Sequence, residues 1–376
     1  MGIVFIVSVL LVLHAYLGYP LSLWLVSIFH RKISVRNAIS PTVTIILTVY
    51  NEAGRIRQKI DNMLHLQYPK DKLQIIVASD GSSDATNSVV GEYRTSGIEL
   101  LEIKERAGKE AAQKEAVKYA RGEVFVFTDV ATMFDTDSLK KIVSNFADTS
   151  VGCVSSEDRI MDKNGKPAGE GIYVRYEMWL RKLESIVNSL VGLSGSYFAA
   201  RREVCRDFSG DMQSDFRTVL NAVKLGLRGI SDPEVIGWYE DIVEEKKEFS
   251  RKIRTVVRGL TVFFRHLEFF NIFKYGLFSY QYFCHKLLRW LVPFFLVLAF
   301  LSNILLITDS SWWVLLLALQ TMFYGLAFLG WSINASVFGM ITKIPTYFVT
   351  VNASIFVAWI RFLKGERITM WTPSKR

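Results

Sequence analysis

Two stretches of this chain are too long and too poor in charge to be packed inside a globular core. No Lys, Arg, Asp or Glu precedes Arg31, and between Leu291 and Thr342 only Asp309 carries a charge. About 20 consecutive apolar residues suffice to cross a bilayer, so the chain is read as a membrane protein. Residues 3–28 have only His14 as a titratable interruption. They lack a basic segment before the apolar run and a small-residue cleavage site, which marks a retained anchor over a removed leader. The basic residues Arg31, Lys32 and Arg36 follow at once. By the excess of Lys and Arg on cytoplasmic flanks, the next domain is expected inside the cell.

The net charge of +9 is carried largely by such clusters, from Arg251 to Arg265 and at Lys286 and Arg289. That placement fits membrane headgroups better than a nucleic-acid groove, so no nucleic-acid partner is expected. Cys153, Cys205 and Cys284 are scattered without a CxxC or an adjacent His. This fits reduced thiols in a cytoplasmic domain and gives no structural zinc site.

Between residues 41 and 230 short apolar, β-branched runs (43–47, 75–78, 124–127) alternate with helical stretches (55–66, 109–120). Strand, helix, strand in succession predicts an α/β domain with a mostly parallel, Rossmann-like sheet, whose ligands sit beyond the carboxyl ends of the strands. Residues 251–290 interleave Phe and Tyr with Arg, Lys and His, a composition expected of amphipathic helices lying in the membrane interface. Two spans follow, at 291–307 and 312–329. A third candidate, 344–363, is interrupted by Pro345, Asn352 and Arg361. The tail holds Arg361, Lys364, Arg367, Lys375 and Arg376 against Glu366 alone, so it is expected inside. An even number of later spans then requires the last segment to be interfacial or re-entrant. The resulting plan is an N-terminal transmembrane helix (1–30), a cytoplasmic domain (38–250), interfacial helices (251–290), a transmembrane or re-entrant region (291–363) and a basic tail (364–376).

The chemistry lies where the strands end. The first ends in Thr48-Val49-Tyr50-Asn51-Glu52, the second in Ser79-Asp80-Gly81-Ser82-Ser83-Asp84, and the third in Phe127-Thr128-Asp129. Any one acid alone is an ordinary cap or turn residue. Three successive strand-end clusters converge on one crevice and suit a nucleotide sugar, where an acid holds the divalent cation that neutralises a diphosphate. No GxxxxGK[ST] or GxGxxG is present, which excludes a P-loop enzyme and disfavours a dinucleotide dehydrogenase.

The motifs TVYNE, SDGSSDAT, Gly108-Lys109, FTDVAT, GLSGSYFAARRE, SDF, RKIRT and the tail WTPSKR, in that order, resemble glycosyltransferase family 2, the GT-A fold. The resemblance is to its membrane-bound branch of hyaluronan, chitin, cellulose and poly-N-acetylglucosamine synthases. It implies that Thr48, Tyr50, Glu52 and Asp80 face the nucleoside, with Lys109 near the base or phosphates. Asp129 would be the metal acid for Mg2+ or Mn2+, Asp215 the general base, and Arg254 the diphosphate-contacting arginine. Gly195, Ser196 and Tyr197 are the acceptor-side candidates. The bland reading of Asp215 is that it caps the helix it opens, and that of Arg251, Arg254 and Arg258 is snorkelling to lipid phosphates.

Three departures qualify the resemblance. Ala131 stands where the second acid of Asp-x-Asp is usual, Ser214 replaces the acid before Asp215, and Thr255 replaces the tryptophan after Arg254. The last disfavours processive polymerisation. The expectation is an inverting hexosyltransferase of the inner or plasma membrane, acting from a UDP-sugar on a lipid-linked or polysaccharide acceptor in exopolysaccharide synthesis. Alternatives are a processive synthase that translocates its polymer and a non-catalytic scaffold in an export complex. Membrane lipids are partners in each, and an oligomer or export-complex partner stays open.

Overall fold

The computed structural model describes residues 1–161, 172–240, 245–332 and 339–370. Two compact units share the chain. One combines Met1–Ser22 with Val243–Arg367, the other Leu23–Ile242 with Ile368–Arg376.

The second unit is built on one eight-stranded sheet. Its strands are β1 (Val43–Val49), β2 (Leu73–Asp80), β3 (Ile98–Ile103), β4 (Val124–Asp129), β5 (Met133–Phe134), β6 (Val151–Met161), β7 (Tyr197–Arg201) and β8 (Arg228–Glu240). They lie in the order β3-β2-β1-β4-β7-β6-β8-β5. The four strands β3, β2, β1 and β4 run parallel. Every residue of β1 is buried, as a strand covered on both faces requires. β7 enters antiparallel to both β4 and β6, β6 and β8 are parallel, and β5 pairs antiparallel with β8. The expected parallel sheet is therefore one half of a mixed sheet.

Helices α1 (Gly2–Phe29), α2 (Ile56–Leu64), α3 (Lys109–Tyr119), α4 (Ile172–Val187) and α5 (Ser214–Lys224) belong to the first 240 residues. Ile56, Ile60 and Met63 of α2 join the β1, β2 and β4 side chains in one core. Register fixes the working edge: Thr48 lies between Ala78 and Asp129, and Val49 beside Ser79. The carboxyl ends of β1, β2 and β4 thus open side by side.

The other unit holds α6 (Glu245–Phe264), α7 (Leu277–Ile304), α8 (Ser311–Ser332) and α9 (Gly339–Leu363). With α1, the helices α7, α8 and residues 341–363 of α9 make four segments long and apolar enough to cross a membrane. Two expectations bear on these helices. Residues 277–290, assigned to the interface, are the first half of α7. Lys286 and Arg289, which marked the boundary, lie over the rings of Trp290 and Tyr16, so the helix runs through them. Residues 344–363 form an unbroken helix. Pro345 falls in its second turn, Arg361 in its last, and the Asn352 amide donates back to the Phe348 carbonyl, so none of them breaks it. Polar pairs join the helices: Asn303 with Gln320, Thr346 with the Ala327 carbonyl, and Trp359 with the Trp290 carbonyl.

Candidate active site

The loops after β1 and β2 are stitched together before any ligand is considered. Asn51 takes a left-handed backbone (φ 51°), a conformation Asn tolerates. Its amide nitrogen donates to Ser82 Oγ, and its side-chain oxygen accepts from the Ser83 amide at 2.8 Å. The Ala53 amide donates to Asp84 Oδ2, and the Glu52 amide to Thr86 Oγ1. Glu52 is itself buried and takes a two-pronged ion pair from Arg55, at 2.9 and 2.8 Å. Burial raises its pKa above the usual carboxylate value; Arg55 opposes the rise, and the charges of Asp129 and Asp84 add to it. Above it, the Arg106 guanidinium lies 3.7 Å from the centre of the Tyr50 ring. The Thr48 hydroxyl is buried with no hydrogen-bond partner among the described residues, an unmatched polar group at the strand end.

Asp80 is 3% exposed. One of its oxygens accepts from the Ala107 amide at 2.8 Å and the other from the Gly108 amide at 2.9 Å. The carboxylate thereby shapes the loop that opens α3. Gly108 has φ of 102°, and a Cβ there would lie 2.6 Å from the Thr369 carbonyl oxygen, so only glycine fits beneath the returning tail.

Lys109, the first residue of α3, is the hub. Its ammonium contacts Asp129 Oδ1 at 2.6 Å and donates to the Gly195 carbonyl at 2.9 Å. The Asp129 side chain is one-quarter exposed. The Asp129 amide donates to the Ser196 carbonyl, tying the end of β4 to the loop before β7. Beside that loop stands Asp215, with Oδ2 3.5 Å from where a Cβ on Gly195 would be. The helix cap is Gln213, with no side-chain cap bond, and Gln213 Nε2 donates to Asp215 Oδ2 at 3.0 Å. Asp215 is therefore not the cap of α5. Asp80, Lys109, Asp129, Gly195 and Asp215 form one connected patch.

Other residues stand apart from it or were missed. Tyr197 does not join the patch. Strand alternation turns its ring into the core against Phe134 (4.3 Å), with its hydroxyl at Ser138. Gly195 and Ser196 remain the acceptor-side candidates. Asp158, near the middle of β6, was not anticipated. It is half-buried and accepts hydrogen bonds from Ser194 and Ser196 on either side of Gly195. Burial raises its pKa; the two serines and Arg181 act against that, and the Asp129 charge reinforces it. Its place in the polar run SSEDR hid it, since nothing there marks a buried face. Arg254 lies on α6 in the helical unit with Arg251 and Arg258. Burial lowers its pKa, and the two neighbouring arginines lower it further. Thr255, at the position of the family's tryptophan, turns its hydroxyl back to the Arg251 carbonyl. Residues 371–376, the WTPSKR segment, lie outside the described residues.

No group of three His, Cys, Asp or Glu among the described residues could cage a metal ion. That does not count against Mg2+ or Mn2+ at Asp129. Hard cations at diphosphates are held by one or two carboxylates, substrate oxygens and water, and a single partly exposed carboxylate fits that demand.

Strand-end acids on a mixed sheet, joined through a lysine to the loop beside a helix-borne carboxylate, define a GT-A glycosyltransferase domain. Residues 44–208 match the model of Glycosyl transferase family 2, and that stretch is a domain of this family. The chain is similar to glycosyltransferase AglE of Haloferax volcanii, 28% identical over 171 residues, 44% of this chain and 55% of that protein. It is also similar to the poly-beta-1,6-N-acetyl-D-glucosamine synthase of Staphylococcus aureus strain MSSA476. That match is 30% identical over 124 residues, 32% of this chain and 30% of the synthase. The chain thus spans about half of the first relative and under a third of the second. Among solved structures it is similar to the mannosyltransferase PcManGT from Pyrobaculum calidifontis in complex with GDP-Man and Mn2+. The identity is 24%, the coverage 96% of this chain and 99% of that one, and the TM-score 0.76, a likeness that shows the fold.

Proposed function

We propose that this protein is an inverting membrane glycosyltransferase that moves a sugar from a nucleotide-sugar donor to a lipid-linked or polysaccharide acceptor. The observation that carries the reading is the Lys109 ammonium, which touches Asp129 and the Gly195 carbonyl at once, with Asp215 beside Gly195. A diphosphate needs cationic neutralisation next to the point where its bond to sugar breaks. An acceptor hydroxyl needs a base nearby.

In this reading the Asp215 carboxylate takes the proton of the acceptor hydroxyl while that oxygen bonds to the anomeric carbon. The bond from that carbon to the diphosphate oxygen breaks on the opposite face, through an oxocarbenium-like state, and the configuration inverts. Lys109 neutralises the leaving diphosphate, with Arg254 as a further candidate. Thr48, Tyr50, Glu52 and Asp80 line or shape the nucleoside side, and Gly195 and Ser196 the acceptor side. A Mg2+ or Mn2+ ion held by Asp129 would add charge neutralisation at the diphosphate.

The basic residues after α1 support a cytoplasmic catalytic unit. The Thr369 carbonyl lies against Gly108, which supports a tail on the same side as the catalytic unit. A tail on that side favours an even number of crossings among α7, α8 and α9.

Thr255 supports addition of one or a few sugars over long polymerisation. The processive alternative rests on the likeness to the poly-N-acetylglucosamine synthase, and product length separates the two. The resemblance in the motifs favours a uridine donor, and the full-length likeness to a structure holding GDP-Man favours guanosine. The test is a screen of UDP- and GDP-sugars with Mn2+ for turnover by the purified protein. One donor is expected to be consumed, with turnover lost in Asp215→Asn. No turnover of any donor, or full turnover in Asp215→Asn, contradicts the proposal and favours the scaffold.

A further inference from the structure

Lys59 lies in the middle of α2 and is wholly buried. Its ammonium donates to Thr128 Oγ1 at 3.2 Å and to the Thr132 carbonyl, and sits 3.5 Å from the centre of the Phe134 ring. No carboxylate pairs with it among the described residues. Burial lowers its pKa well below the lysine value, and the charge that acts against this is that of Asp129. A buried, carboxylate-free lysine is costly, and a fold that keeps one has a use for its position.

The position is specific. Thr128 and Thr132 flank Asp129-Val130-Ala131, a turn closed by the Thr132 amide donating to the Asp129 carbonyl. Lys59 therefore holds both ends of the turn that carries Asp129. One helical turn on, Asn62 donates to the Phe134 carbonyl and accepts from the Phe134 amide, both at 2.9 Å. The first residues of α2 are anchored at Glu52, through Arg55 and the Ile56 amide. Helix α2 is a splint from the end of β1 to the turn after β4.

We infer that Lys59 is the positioning residue for Asp129, fixing the single carboxylate on which this chain, with Ala131 in the next acid position, would rely at the diphosphate. The inference rests on the donor-site reading above. The role belongs to the set of outer partners that orient a ligating carboxylate, whose loss commonly costs about 10–100-fold in metal affinity.

The test is binding of Mn2+, read by its paramagnetic resonance, to the full-length purified protein with UDP or GDP present. Lys59→Met is expected to weaken binding about 10-fold or more, and the isosteric Thr128→Val about 3-fold. The double variant Lys59→Met/Asp129→Asn is expected to bind no more weakly than Asp129→Asn alone, because the lysine acts through the aspartate. A Lys59→Met protein that binds like the wild type, or effects that add, overturns the inference. Should Lys59→Met not fold, unchanged binding in Thr128→Val overturns it instead. Failure of the wild type to bind Mn2+ with either nucleotide contradicts the donor-site reading itself, which separates the two.

Discussion

Strands β2 and β4 each end in an aspartate, yet the two have become different things. Asp80 is buried, and both oxygens are spent on the amides of Ala107 and Gly108. Asp129 is partly open and faces a lysine ammonium. The first acid builds the loop that presents Lys109; the second stands with Lys109 at the surface a donor would reach. An acid at a strand end marks the working edge of such a sheet. What it is bonded to decides whether it makes the site or serves in it.

That contrast can be broken by substitutions that separate binding from folding. The largest effect is expected at Asp215→Asn: kcat falls about 10²–10⁴-fold while the melting temperature barely moves. Asp129→Asn comes next, weakening donor affinity about 10–100-fold in a calorimetric titration at nearly wild-type stability. Gly108→Ala should show the opposite signature. Its left-handed backbone and the Thr369 carbonyl leave no room for a Cβ, so stability falls by about 3 kcal/mol in denaturant unfolding. Asp80→Asn sharpens the comparison directly. An amide leaves one backbone N–H without its acceptor, at about 2 kcal/mol of stability, and donor affinity falls only as the loop loosens. An Asp80→Asn protein of full stability that cannot bind donor would reverse the two roles. The smallest effect is Thr48→Val, which removes a hydroxyl the fold does not satisfy. Stability should stay level or rise by about 0.5 kcal/mol, with any loss confined to donor affinity.

Much of this was legible in the sequence because it depends on local pattern. The runs at 43–47, 75–78 and 124–127 are the cores of β1, β2 and β4, since a strand buried on both faces must be continuously apolar. Their polar endings mark the edge correctly. The antiparallel entry of β7 was not legible, because the apolar pattern of a strand gives neither its neighbours in the sheet nor its direction. Lys59 looks like a solvated lysine on an amphipathic helix. The signal was its spacing: it lies three residues after Ile56, on the face that Ile60 and Met63 also bury. Asp158 gave no such signal. Tyr197 was misplaced because a motif gives residues in order but not which side of the strand each faces. Residues 344–363 give an ambiguous span because Pro, Asn and Arg interrupt the apolar run; in the structure all three lie within one helix.

The most direct test of the central claim is a structure of the protein with a nucleoside diphosphate and Mn2+ bound. The diphosphate is expected between Lys109 and Asp129, beside Gly195, with the Asp215 carboxylate facing the space where the sugar would lie. Phosphates bound elsewhere, with the Lys109–Asp129 contact left closed, would contradict it.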